Sequence, residues 1–406
     1  MNNRTRAGDP LTVTVFMEVT SSLRTWEAMG ILEREMKYYR TLQRHGLRLN
    51  LISYGGRSEN DFRSQTRGIR VLCNWLGLPP RTYQRRVFQL HARHLLRSNI
   101  IRTHDTHAML AALRAQWAWQ IPLVHRMSYF WSDSMKINPS LPRSHIEEAL
   151  AYERETFTKA ARISVASKDQ VKGVVERVPA AASKITINAH CVDCDAFRPT
   201  GTEKRYDLIY VGRLAWIKNL DAILEAVERT GATIAIIGGG TPNTVGDSID
   251  SQYEAELKAR FGTNGGRIHW LGVVANEELP IYINRARALI LCSRYEGYGR
   301  SMLEALACGV PVIGSKVGGI ESTLRHEETG YLCDTDADGI TAAIEAVLSQ
   351  PRLIEKMGAK ARRFAVENFA LQAVARREYD VLVDVARRNP IESALKRVAR
   401  YIALPR

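Results

Sequence analysis

LILCSRYEGYGRSMLEALACGVPVIGSKVGGI, residues 289–320, is the stretch from which the rest of the 406-residue chain can be ordered. An apolar strand over 288–292 breaks into a turn bearing Gly297 and Gly299. Helical spacing follows over 301–308 until Gly309 and Pro311 stop it, and a second short strand spans 311–314. A turn with two glycines that feeds a helix exposes backbone N–H groups at the positive end of the helix dipole, which is a seat for an anion such as a diphosphate. Glu296 and Glu304 flank this turn. Glu296 precedes the anion seat, where a sugar attached to the diphosphate would lie, and Glu304 sits one turn inside the helix, where a carboxylate can accept bonds from a ribose diol.

EGYGRSMLEALACGVPV, residues 296–312, resembles without a gap the signature of the retaining glycosyltransferases of family 4, E-G-[FY]-G-x-x-x-x-E-A-x-A-x-G-x-P-V. The resemblance implies the GT-B fold: an α/β protein of two Rossmann-like, doubly wound parallel-sheet domains facing a cleft, with C-terminal helices crossing back to the first domain. It also implies transfer of a sugar from a nucleotide diphosphate sugar to an acceptor hydroxyl with retention of configuration. Neither a metal nor another cofactor is expected, and the implied setting is polysaccharide or lipid-linked glycan assembly. Glu296 would hold the transferred sugar and Glu304 the ribose, with Gly297, Gly299, Arg300 and Ser301 around the diphosphate.

Outward from that stretch, strands and helices alternate. In the first half, strands are expected at 11–19, 48–53, 70–73, 100–104, 123–127 and 163–166, with one helix running from the first turn through about His45. Pro199, Gly201 and the polar run 200–204 mark a boundary, giving domains at 1–200 and 201–375 and terminal helices at 376–406. The second domain opens with YDLIYVGRLAWIKNLDAILEAV, residues 206–227, a strand, a tight turn and an amphipathic helix. Gly212, Arg213 and Lys218 match the family's G-R-[LF]-x-x-x-K-[NG]. Arg213 and Lys218 bracket the turn, a spacing that can bring two cations to one diphosphate. With Glu296 they are the residues on which catalysis would rest. Gly238, Gly239, Gly240, Pro242 and Asn243 resemble the family's glycine turn rather than a dinucleotide loop. The turn after 267–272 offers backbone for a nucleobase edge.

The loop after the first strand reads Thr20, Ser21, Ser22, Leu23 and has no glycine, which argues against a hydride-transferring oxidoreductase. It also departs from the family, which often meets the donor diphosphate here with glycines. Ser22 stands as either a substitute for them or the cap of the following helix. IIRTHDTH, residues 100–107, ends a strand with His104, Asp105 and His107, resembling the family's acceptor-side strand end, although caps and core histidines read the same way. In IPLVHRMSYFW, residues 121–131, the place of the family's sugar-contacting histidine is Ser128. Arg126 is an acceptor-side candidate there, and His125 should point to the opposite face.

The balance of 57 Lys+Arg against 43 Asp+Glu gives +14, and residues 1–200 hold 30 basic against 17 acidic positions. Such asymmetry suits an anionic partner in the first half, such as a lipid surface, a lipid diphosphate or an acidic glycan. No nucleic-acid reader motif accompanies the dispersed basic residues. Two basic amphipathic stretches, 85–97 and 392–402, are candidates for peripheral contact with an anionic membrane, the first also reading as a sheet-covering helix. Six scattered cysteines point to a reducing compartment, and the start of the chain has no signal core, so the expectation is a cytoplasmic protein, at the inner face of the membrane where it meets lipid. Asp334, Asp336 and Asp338 precede a helix and read as caps rather than metal ligands. A GT-B sugar-nucleotide epimerase and a non-catalytic sugar-nucleotide binding protein remain as alternatives.

Overall fold

Short runs of Val, Ile and Leu buried on both faces dictate parallel sheets covered by helices, because a parallel strand has no solvent side to offer. A computed structural model describes residues 10–137, 141–239 and 247–403, with backbone alone at 247–251. Its first sheet contains β1 (Thr12–Phe16), β2 (Arg48–Ile52), β3 (Arg70–Leu72), β4 (Ile100–Thr103), β5 (Leu123–Arg126), β6 (Arg162–Val165) and β7 (Ile185–Ile187). The order is β3-β2-β1-β4-β5-β6-β7 and every pairing is parallel. The second sheet holds β8 (Tyr206–Val211), β9 (Ile234–Ile237), β10 (Ile268–Gly272), β11 (Ala286–Leu291), β12 (Val312–Ser315) and β13 (Gly330–Cys333), in the order β10-β9-β8-β11-β12-β13. Both are doubly wound Rossmann-like sheets, as GT-B requires.

The chain up to Ala28, Glu35–Asn188 and the chain from Ala375 onward form one unit, and Met29–Arg34 with Ala189–Val374 form the other. The change at Asn188, rather than at residue 200, has a physical cause. The Asn188 amide donates to Glu378 Oε2 at 2.9 Å within the first unit. Past it, Val192 exchanges backbone hydrogen bonds with Phe369 and Leu371, and the Arg362 guanidinium donates to the carbonyls of Cys194 and Phe197, which commits those residues to the second unit.

From Ala375 onward the helix Leu371–Arg388 belongs to the first unit, where a fully buried ion pair holds it, Arg102 Nε to Glu378 Oε1 at 2.6 Å. Burial alone would push the Glu378 carboxyl up, but the Arg102 guanidinium outweighs it and holds the group below the usual glutamate range. The helix expected after β1 is two helices, Leu23–Ala28 and Leu32–Arg44, because Gly30 between them adopts φ +66°, a conformation outside the helical region. The membrane reading of 85–97 does not hold for its apolar face. This stretch falls in the helices Pro80–Leu90 and Ala92–Leu95, and Phe88 and Leu95 are buried in the first core. Asp336 caps the helix Ala337–Leu348, its side chain accepting the Gly339 N–H at 2.7 Å. Among the described residues no helix is long and apolar enough to cross a membrane.

Replacing Glu378 with Ala leaves the Arg102 cation buried without its partner, and should destabilise the protein by about 3–5 kcal/mol in urea unfolding. Because the folded-state pKa of Glu378 is depressed, the wild-type contribution is complete above the unfolded glutamate pKa of about 4.3 and disappears as pH falls through the folded value. The gap between variant and wild type should therefore narrow in acid.

Candidate active site

In an open parallel sheet, ligands bind beyond the carboxyl ends of the strands where the winding reverses. In the second sheet that point lies between β8 and β11. The turn 212–218 leaves β8 and the turn 292–299 leaves β11, so topology places the two signature motifs side by side. Backbone and side chain then lock them: Arg294 N–H donates to the Ile217 carbonyl at 2.9 Å, and the buried Asn219 amide donates to Cys292 O at 2.9 Å and Thr335 O at 2.7 Å. Asn219 sits at φ +61°, which asparagine tolerates better than most residues.

Lys218 Nζ donates to Glu296 Oε2 at 2.5 Å, and Ser293 Oγ approaches the same oxygen at 3.5 Å. The turn carrying Glu296 is held from behind by the loop after β12. Gly319 N–H donates to the Glu296 carbonyl at 2.9 Å, and a Cβ on Gly319 would lie 2.2 Å from the Gly297 carbonyl oxygen. Gly318 adopts φ +41°, and its Cβ would lie 2.5 Å from the Glu296 oxygen. The sequence reading gave neither glycine a role, although a GG pair in the loop after a strand is a signal that a backbone comes close there.

Gly299 is the N-cap of the helix Arg300–Ala307 and offers its first amides no side-chain acceptor. A side chain at Gly299 would strike Leu291 Cδ2 at 2.5 Å, so the turn requires glycine there, and a glycine cap has no side chain of its own to occupy the helix end. Arg300 and Ser301 are half-buried in its first turn. Gly212 lies under Gly238, whose Cβ would come within 1.8 Å of the Gly212 oxygen. A Cβ on Gly239 would lie 3.3 Å from Val273 Cγ2, and Gly240, Pro242 and Asn243 lie outside the described residues. Arg213 is exposed and makes no ion pair among the described residues, whereas Lys218 is already bound to Glu296.

Glu304 is buried. Its Oε1 accepts from the Asn276 amide at 2.9 Å and lies 3.6 Å from the Arg34 guanidinium. Burial raises its pKa, and Arg34 and Asn276 offset this only in part. Asn276 stands in the turn after β10, where the sequence suggested only backbone contacts.

In the first unit, Ser22 Oγ accepts the Thr25 N–H at 3.0 Å, so its hydroxyl caps the helix Leu23–Ala28. The first amide of that helix, Leu23 N–H, donates to the buried Glu59 carboxylate at 3.0 Å. An internal carboxylate thus stands at the helix end that follows the glycine-free loop. Asp105 accepts from the N–H groups of Thr106 and Ser128 at 2.8 and 2.9 Å, and from Ser128 Oγ at 2.6 Å. Desolvation works against its charged form, yet Arg126 and the Ser128 bond keep its pKa below the usual aspartate range. His104 Nδ1 lies 2.7 Å from Tyr39 OH, and its ring packs at 4.9 Å from Trp26. Arg126 lies over the Tyr38 ring at 5.9 Å and reaches the His104 carbonyl at 3.5 Å. His125 contacts Thr103 Oγ1 at 3.1 Å inside the core, where burial lowers its pKa to about 4. Ser22, His104, Asp105 and Arg126 therefore all sit at the carboxyl ends of β1, β4 and β5, with Ser128 bonded to Asp105.

Two family models match the chain: "Glycosyl transferases group 1" over residues 195–364 and "Glycosyl transferase 4-like domain" over residues 30–189. A glycogen synthase of Mycobacterium tuberculosis is 33% identical over 175 residues, covering 42% of this chain and 40% of that protein. A D-inositol 3-phosphate glycosyltransferase of Rhodococcus jostii is 26% identical over 297 residues, 68% of this chain and 64% of that protein. The chain thus spans less than two thirds of these relatives. Among solved structures, sucrose-phosphate synthase from Thermosynechococcus elongatus aligns with TM-score 0.75 at 19% identity, over 92% of this chain and 99% of that one. Anabaena HepE in complex with UDP-glucose aligns with TM-score 0.72 at 15% identity, over 92% and 100%. These likenesses carry the GT-B fold.

Gly319→Ala should push the Glu296 turn off its seat. Overpacking of this kind costs about 1–3 kcal/mol, so the variant should melt several degrees lower and lose ligand-induced stabilisation out of proportion to its lost stability. Thermal melts with and without UDP-glucose measure both.

Proposed function

The chain belongs to the group 1 glycosyltransferases, and from that premise we propose that it moves a sugar from a nucleotide diphosphate sugar to an acceptor hydroxyl with retention of configuration. The observation that carries the proposal is the Lys218–Glu296 pair beside the glycine-capped helix end at Gly299. When the glycosidic bond to the diphosphate breaks, negative charge grows on the leaving phosphate, and the main catalytic requirement is to stabilise it. Lys218, Arg213 and the first amides of Arg300–Ala307 supply donors of the right sign, so no step is assigned to a metal.

Lys218 is paired with Glu296. A bound diphosphate competes for the ammonium, and Glu296 is then released to accept from the sugar hydroxyls. Glu304, set in place by Asn276, accepts from the ribose. The donor's own phosphate oxygen takes the acceptor proton, which removes the need for a histidine at Ser128. The acceptor is a glycan or a lipid-linked glycan, a reading supported by the basic first half of the chain.

Thermal-shift titration with UDP-, GDP- and ADP-sugars should raise the melting temperature for one of them, since a ligand that binds only the native state stabilises it by mass action. Lys218→Ala and Glu296→Ala should each reduce transfer at least about a hundredfold with the fold intact. Turnover near wild type in either variant would sink the proposal, and isomerised rather than transferred sugar would identify an epimerase. Because the Glu304 pKa is raised above 4.5, donor affinity should begin to fall on acidification at a pH higher than an ordinary glutamate would give. Glu304→Gln should weaken binding and abolish that pH step.

A further inference from the structure

The helix Ala394–Ala403 has two apolar faces, and only one is used. Its inner face docks on the first unit. Tyr401 packs against Phe88, Trp117 and Trp119, its hydroxyl accepts from Gln89 Nε2 at 3.0 Å, and the buried Arg397 donates to the carbonyls of Trp119 and Leu96. That docking fixes the outer face. Leu395 and Ile402 each lie one position from a helix end, seven residues apart and so on the same side, 82% and 76% exposed, and Trp117 beside Tyr401 is 47% exposed. Two large aliphatic side chains are thus presented to water on one side of this helix, and an exposed tryptophan stands on the helix it docks against, more apolar surface than a single exposed residue gives.

The charge around this patch has one sign. The three helices that meet here, Pro80–Leu90, Met109–Trp119 and Ala394–Ala403, contain no aspartate or glutamate. Arg81, Arg85, Arg86, Arg93 and Arg97 are all exposed, and none makes an ion pair among the described residues. Arg85 and Arg86 lie one turn before Gln89, which touches Tyr401, and Arg97 follows the Leu96 carbonyl that receives Arg397. Lys396 and Arg400 border the exposed face. Arg400 is paired with Glu392 at 2.9 Å, the one acid close by in sequence, so the surplus rests on Lys396 and the five arginines.

We propose that this face docks on the surface of an anionic phospholipid bilayer, with Leu395, Ile402 and Trp117 entering the headgroup boundary and the cations meeting lipid phosphates. The combination of aliphatic and indole side chains with flanking Lys and Arg is what an interfacial helix requires. A nucleic acid would match the charge and leave Leu395 and Ile402 without a role. The cations of the 85–97 stretch keep the part the sequence suggested, while the apolar contact comes from the terminal helix. Docking is independent of the sugar-transfer proposal, and its test uses no nucleotide sugar.

The test is cosedimentation of the full chain with vesicles of phosphatidylcholine alone or with about 30% phosphatidylglycerol. Binding should be at least about tenfold stronger to the anionic vesicles and should weaken as salt rises towards about 0.5 M. A Leu395→Glu, Ile402→Glu double variant should bind at least about tenfold more weakly. Its melting temperature should stay at the wild-type value, because both positions are exposed. Equal binding to neutral and anionic vesicles, or undiminished binding by a variant that melts like wild type, overturns the proposal. So does a wild-type chain that binds no vesicles but forms dimers that the double variant abolishes.

Discussion

The candidate site depends on one close backbone approach, that of Gly319 to the Glu296–Gly297 peptide. The 2.9 Å hydrogen bond from Gly319 to the Glu296 carbonyl forms only because nothing projects from Gly318 or Gly319. The β12 loop can therefore lie directly behind the β11 turn. With the turn held from that side, its free side bears the Glu296 carboxylate, and Lys218 closes on it from the β8 turn. Asn219 completes the arrangement by joining the β8, β11 and β13 loops through a single buried amide. Three glycines and an asparagine in this way fix where one carboxylate and one ammonium stand, and that fixed placement, rather than either charge alone, is what electrostatic catalysis would use.

A second constraint acts at long range. Glu378 and Arg102 are far apart in sequence and meet in full burial, with Asn188 on the second carboxylate oxygen. A buried pair of this kind adds little over an apolar contact but strongly penalises its own disruption. It therefore specifies where the terminal segment returns more than it stabilises that return, and Arg162 to Asp384 at 2.9 Å repeats the fixation further along the same helix. The docking of Ala394–Ala403 through Tyr401 and Arg397 follows from that path.

The fold was legible because strand, turn and helix signals repeat locally, and a parallel α/β chain has few ways to arrange them. Glu296 and Lys218 could be picked out because each stands in a motif with glycines in register. Their contact could not, since it joins residues from two different βα turns and the register between β8 and β11 is settled only by packing. The glycine-free loop after β1 was visible, but the carboxylate that stands at its helix end comes from Glu59, in a separate turn with no motif of its own. The domain change at Asn188 was hidden for a similar reason: Pro199 and Gly201 look like a linker, while the deciding bonds run to Glu378, Phe369 and Arg362. The break at Gly30 was missed because one glycine inside a helical pattern is usually tolerated.

The two units treat a helix N-terminus in opposite ways, and the difference bears on the chemistry proposed. At Leu23 the helix end receives an internal carboxylate, so an incoming phosphate would meet a like charge. At Arg300 the cap residue is a glycine without an acceptor, and Lys218 is paired with a carboxylate from which a stronger anion can draw it. On the proposed reading, a diphosphate is therefore directed to the second helix end by the same electrostatic rule that closes the first. On that reading the loop after β1 needs no glycines, because the first amide of its helix already has the Glu59 carboxylate as acceptor.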